Sequence, residues 1–417
     1  EDGATGVFAH EYGHDLGLPD EYDTAYTANS VGAPTEYWTL MSAGSWAGII
    51  NGTEPTGFSP YDKEYLQNKW PNSNWFKIEE YSLEDIKNGE KIVNLDQASV
   101  KGTNADAVKI TLPDKVTQVN APANGEFEYF SGKGNDLDNS LTTTVDLTAA
   151  TAAEFKFNAW YDIEQDWDYA SLQVNDGTGW VAVQGNLTTD TNPYEQNPGH
   201  GITGSTNGEW VPASFDLSAY AGKKVEVKIN YWTDVAATLP GLYVDDIEVV
   251  VDGATVVSDG AESDESVFTA DGFTKSTGTT TSAHYYLVEW RNWAATDTAL
   301  GRITRGASVL TYDPGMVIWY VDNKYDDNWV GDHPGDGFLG VVDAHQPIAR
   351  WTDDNSPAST RYQIQDAAFS LDATDDMFLD YSALYGAGVG MALDAQPAVP
   401  QFSDYNDYST PDLIYAG

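Results

Sequence analysis

His10-Glu-Tyr-Gly-His-Asp-Leu-Gly-Leu-Pro-Asp20 is the stretch from which the rest of the chain is read. From Thr5 to Leu18 the apolar residues Val7, Phe8, Tyr12 and Leu16 recur at about 3.6-residue intervals, and Gly17 and Pro19 follow, which predicts a helix. On a helix His10 and His14 share one face, so their imidazoles can ligate one zinc ion from the same side. Glu11, beside the first histidine, is placed to act as general base on a water whose pKa zinc lowers towards ~7. Gly17 can turn the chain sharply through a left-handed conformation, and Asp20 then returns to the metal as a third, oxygen ligand. Glu21 is its rival for that place. A catalytic zinc takes three protein ligands and leaves one position open.

Met41 follows within Thr39-Leu-Met-Ser-Ala-Gly-Ser-Trp46. Motifs with a glycine after the second histidine use a methionine turn as an apolar floor beneath the metal, whereas a lone methionine simply fills core. The stretch His10 to Asp23, with Leu40-Met-Ser-Ala-Gly-Ser-Trp-Ala-Gly48 and Gly57-Phe-Ser-Pro60, closely resembles the immune inhibitor A family of secreted bacterial metallopeptidases. Tyr285-Tyr-Leu-Val-Glu-Trp-Arg291, Gly315-Met-Val-Ile-Trp-Tyr-Val-Asp322 and Asn328-Trp-Val-Gly-Asp-His-Pro-Gly335 extend the resemblance over most of the chain. It implies a metzincin-like zinc endopeptidase acting on proteins, with His10, His14 and Asp20 as ligands and Glu11 as base. Some metzincins place a tyrosine two residues after the methionine; Ala43 stands there, so a phenol that steadies the oxyanion has to come from elsewhere. The resemblance also implies that the first half of the peptidase domain, a propeptide and a signal precede Glu1, and that the chain is a fragment. On that reading the chain alone is not a competent peptidase.

Outward from the motif, 417 residues predict two or three domains. The expected class is α+β and multidomain: the C-terminal part of the peptidase domain plus an antiparallel β-sandwich. Residues 1–76 hold the active-site helix and a second helix from Pro60 to Trp70 capped by Ser59, and 77–124 form a β-rich connection. Residues 125–255 read as a jelly-roll sandwich, from short runs such as Glu154–Trp160, Ser171–Val174 and Val225–Trp232 separated by turns like Asn175-Asp-Gly-Thr-Gly179. Phe130 to Asp138, Trp167 to Ala170 and Gly241 to Ile247 resemble a MAM-like module. A polar linker is expected at 256–283, then a β-rich region at 284–417 packed on the peptidase part.

A formal charge of -45 disfavours nucleic acid and anionic membranes as partners. No apolar run approaches the ~20 residues of a membrane span. Cysteine is absent, which removes disulfides and thiolate chemistry but is compatible with the secretion the resemblance implies. The acidity serves solubility or gathers calcium; Asp168, Asp245 and Asp246 are the calcium candidates, with Asp326 and Asp327 weaker ones. Trp160, Trp180, Trp210 and Trp232 read as core or as sugar-stacking residues. His333 lies in a turn and reads as a structural hydrogen-bonding group; His200 and His345 acquire no role. Two functions are thus expected: a zinc endopeptidase, or a calcium-stabilised extracellular binding and adhesion module with a vestigial zinc site. Glu11 favours the first, since a module that only binds needs no base beside its metal.

Overall fold

The computed structural model describes residues 4–27 and 34–408. Part of the loop expected before Pro60 (28–33) and the end of the C-terminal region (409–417) lie outside the described residues. The chain forms two compact units: one built from 1–115 and 281–417, the other from 116–280. Both are mostly β-sheet with few helices.

In the first unit the opening helix runs Thr5–Asp15, three residues shorter than its apolar pattern, because Gly17 takes φ +94°. The Leu18 N–H then bonds back to Gly13 O at 3.1 Å, closing the helix end. A β-carbon at Gly13 would lie 2.5 Å from Met41 Sδ, and one at Gly6 1.9 Å from Ser45 O. These two glycines share a helix face and let it settle directly on the 41–45 segment. The second helix, Pro60–Lys69, starts where the sequence placed it, with Ser59 Oγ accepting from Asp62 N–H at 3.1 Å.

Both helices belong with a five-stranded sheet in the order Ile78–Ser82, Ala107–Thr111, His284–Arg291, Gly315–Asp322, Leu339–Val342. The first pair is parallel and the others antiparallel. His284–Arg291 alternates buried positions with partly or fully exposed ones, the mark of a strand with one face in the core. That core joins Tyr37, Trp38 and Ala47 of the metal-motif segment to Leu287, Val317, Trp319 and Leu379, so residues before 76 and after 284 share one interior. Each fully buried apolar side chain of this kind contributes ~1.5–3 kcal/mol.

A buried ion network pins the same parts together. Arg291, 1% exposed, donates to Glu289 Oε1 at 2.9 Å and to Asp297 Oδ1 at 2.8 Å. Lys63 of the second helix lies 3.5 Å from Glu289, and Asp297 accepts from Gly57 N–H.

The second unit is two antiparallel sheets around one core. One sheet has the order Val211–Asp216, Ala153–Ile163, Gly241–Val251, Glu128–Phe130, Thr274–Ser276. The other runs Thr269–Asp271, Asp138–Asp146, Lys224–Trp232, Tyr169–Asn175, Trp180–Ala182. Phe155, Leu172, Val227 and Val244 from both sheets are buried in the single cluster. The stretch 256–283, expected as a linker, is not one: Ala254–Asp259, Thr269–Asp271 and Thr274–Ser276 pair onto the two sheets. Their outer positions are exposed and the latter two are three residues long, so no apolar alternation marked them.

Candidate metal centre and active-site cleft

His10 and His14 leave the same face of the first helix with ring centroids 4.8 Å apart and their Nε2 atoms 3.2 Å apart. Each Nδ1 faces a backbone carbonyl: His10 to Leu40 O at 3.0 Å, His14 to Leu18 O at 2.9 Å. Donation there fixes the tautomer and turns the Nε2 lone pairs towards a common point. The chain returns after Gly17 and brings Asp20 Oδ1 to 3.1 Å from His10 Nε2 and 3.3 Å from His14 Nε2.

The three donors therefore form a triangle with edges of 3.1–3.3 Å. Tetrahedral zinc with bonds of ~2.0–2.1 Å separates neighbouring ligands by ~3.3 Å, so the triangle fits one face of such a site. Among the described residues Asp20 Oδ1 is buried with no hydrogen-bond partner apart from the imidazoles, a costly position for a carboxylate unless a cation joins it. Burial alone would raise the Asp20 pKa, yet the hydrogen bond and charge of the histidines hold it below its ordinary value. Burial pulls His10 down, and its bonds to Asp20 and Leu40 more than offset this, leaving it raised.

Glu21 points elsewhere. It is fully buried, its Oε1 accepts from Ser59 Oγ at 2.6 Å, and its backbone carbonyl accepts from Thr35 and from Asn328 Nδ2. Burial pushes its carboxyl up to about 7. Of the two residues proposed for the third ligand, only Asp20 is brought to the histidines. Met41 is fully buried against Gly13, in a cluster with Leu18 and Leu66, and its carbonyl accepts from Glu21 N–H at 2.9 Å.

Glu11 is exposed on the helix and lines a cleft of about 920 Å³ together with His10, Tyr22, Ala43, Trp46 and Tyr362. Tyr22 went unremarked in the sequence. Its ring lies 6.3 Å from that of His10, and its hydroxyl interacts with Asp20 and Tyr26. The available signal was its place two residues beyond Asp20, where the returning chain has to pass the metal. Arg305 and Arg361, distant in sequence, also reach this cleft.

In the sandwich the calcium candidates fall into separate groupings. Asp168 gathers with Glu164 and Asp234, while its Oδ1 accepts from Asp234 N–H at 2.8 Å. Asp245, fully buried, accepts from Asn124 N–H and Asp246 N–H; burial raises it, and its charge adds to the burial that lifts the nearby Glu128 to about 8. Asp246 spends one oxygen on the Asn124 and Asn158 side-chain amides. Trp160 is buried against Tyr243, and Trp180 lies under Lys228. His333 binds Asp327 Oδ1 at 2.6 Å and Asp336 O at 3.0 Å, as a turn histidine should.

Comparison with known proteins places these features. Residues 1–76 match the model of the immune inhibitor A peptidase M6 catalytic domain. Residues 89–278 match the immune inhibitor A-like MAM domain, and 279–417 the immune inhibitor A-like metallopeptidase VEG domain. The whole chain is 43% identical to pre-pro-metalloprotease PrtV of Vibrio cholerae, covering 44% of that protein. Over 379 residues, 90% of the chain, it is 44% identical to immune inhibitor A of Bacillus thuringiensis subsp. alesti, covering 53% of it. The chain thus spans about half the length of the curated relatives it matches. Among the described residues no helix is long and apolar enough to cross a membrane. With successive segments matching the catalytic, MAM and VEG models of one family, the chain belongs to the immune inhibitor A family of metallopeptidases.

Proposed function

We propose that the full-length protein is a secreted zinc endopeptidase of metzincin-like design, with the sandwich as a jelly-roll module. The observation that carries this is the donor triangle of His10, His14 and Asp20 opening onto a cleft that Glu11 lines. Zinc bound by these three residues would supply an activated water and polarise the scissile carbonyl. The protein's own contributions follow from position. Glu11 accepts the proton of the attacking water and passes it to the departing amide nitrogen. Tyr22 directs a phenol to the oxyanion, the role left vacant by Ala43. Leu40 O and Leu18 O keep the two rings aimed, and Met41 supports the helix from below. In the sandwich, calcium is proposed at Asp168 with Glu164 and Asp234, and beside Asp245 and Asp246.

The test is casein hydrolysis by the full-length protein and its Glu11→Gln variant, with bound zinc measured on both. Glu11→Gln should retain zinc and lose ~10²–10⁴-fold in rate. Equal activity of the parent with and without a zinc chelator would refute the reading.

A further inference from the structure

A second cluster of metal-type residues lies within the C-terminal region. Asp313 precedes the strand Gly315–Asp322, Asp343 follows Leu339–Val342, and Asp366 ends the turn Ile364–Asp366. Asp366 is 0% and Asp343 7% exposed. Ligand-type atoms of Asp343, His345 and Asp366 lie within 4.8 Å of one another. Among the described residues neither carboxylate oxygen of Asp366 accepts a hydrogen bond from another residue, and Asp313 Oδ2 is buried without one. Asp343 Oδ1 receives a single bond, from His345 N–H at 2.8 Å.

Among the described residues no lysine or arginine acts on these carboxylates; they feel burial, one another, Asp375 and His345. Burial first, and repulsion from Asp343 and Asp313 next, push Asp366 up to about 9. Buried carboxylates left in this state have to take up protons or a cation.

His345 decides which cation would fit. Its Nδ1 faces Asp366 O at 2.6 Å and its Nε2 faces Pro397 O at 3.1 Å. Each ring nitrogen has a backbone carbonyl oxygen in front of it, so neither is open to a metal. What remains are hard oxygens, the donor set of calcium. Calcium bonds of ~2.3–2.6 Å place ligands on opposite sides of the ion ~4.6–5.2 Å apart, which spans the separation found here. A zinc or other imidazole-seeking ion finds nothing comparable.

We propose that Asp343 and Asp366, with Asp313 beside them, hold a calcium ion. The site ties two strands of the five-stranded sheet to the turn at 364–366. Ile364 O in that turn accepts from Trp38 Nε1 at 2.9 Å, and Arg361 and Tyr362 just before it line the cleft. Calcium here braces a wall of the peptidase cleft without touching the zinc ligands.

The test counts calcium on the full-length protein after chelator treatment and titration with calcium chloride, by calorimetry and metal analysis. Asp366→Asn should bind one calcium fewer per chain, keep its zinc, and lose part of the calcium-dependent rise in Tm. In excess EGTA the same variant should melt no lower than the parent, because without an ion the buried Asp366 carboxyl has neither a cation nor a hydrogen-bond partner for the substitution to remove. An unchanged calcium count would overturn the proposal. Should the variant not fold, crystals of the unmutated protein in saturating calcium give the answer. An ion ~2.3–2.6 Å from Asp343 and Asp366 oxygens is expected, and its absence there overturns the proposal.

Discussion

The cleft cluster of His10, His14 and Asp20 and the buried cluster of Asp343, His345 and Asp366 are made of the same two residue types at similar separations. They differ in what the imidazoles have left to give. At the cleft each ring turns Nδ1 to a carbonyl and leaves Nε2 open towards the other ring and Asp20. In the buried cluster a carbonyl oxygen covers each nitrogen of His345, and only carboxylate oxygens remain open. Exposure differs too: Glu11 stands in an open cleft, whereas Asp366 sees no solvent. Residue composition alone therefore does not say which imidazole nitrogens are open to a metal; the carbonyls around each ring do.

The largest expected effect tests that distinction at the cleft. His14→Ala should strip zinc from the full-length protein and abolish casein hydrolysis, while calcium binding is unchanged. Loss of both metals together would mean that the two clusters are not independent.

Arg291→Met attacks the buried ion network that joins the second helix to the sheet. It leaves Asp297 buried without its cation and Glu289 with Lys63 alone, a loss of ~3–5 kcal/mol by analogous pairs, read by chemical denaturation. Glu289 adds a pH signature. Burial would raise its pKa, but Lys63 and Arg291 hold it below the ordinary carboxylate value. Its contribution to stability is complete above that ordinary value and disappears as pH falls through its lower, folded value. Acidification should therefore destabilise the parent more than a Glu289→Gln variant; equal slopes would remove Glu289 from the argument.

His345→Asn should cost less, ~1–3 kcal/mol, for two carbonyls losing a buried partner. It should leave the zinc and calcium counts intact, since the ring ligates neither. A lost calcium would make His345 a ligand and spoil the contrast with His10. Smallest of all should be the effect of Glu21→Gln on zinc content, which is expected at the parent level. A zinc-free Glu21→Gln protein would transfer the third-ligand role from Asp20.

Much of the cleft was legible because its geometry is local. The i, i+4 spacing of His10 and His14, the turn at Gly17 and the offset of Asp20 act within a dozen residues, and helix periodicity converts that spacing into a shared face. The Ser59 cap and the long sandwich strands were readable for the same reason. The edge strands in 256–283 were not, since short, exposed strands carry no apolar alternation. Nor was Tyr22, whose value depends on where a turn carries it.

By itself, then, the sequence determined the donor types, their spacing on the helix and the family to which they belong. Only the tertiary structure brings Asp20 and not Glu21 beside the histidines, because that placement rests on Ser59, 38 residues away, and on Asn328, 307 residues away, which hold Glu21 elsewhere. It alone brought Asp313, Asp343 and Asp366 together, along with the carbonyl of Pro397 that removes His345 from ligation. The physical reason is that backbone periodicity fixes neighbours within a turn or two, whereas the partner of a buried polar atom is set by packing between segments whose separation in sequence leaves no trace in local pattern.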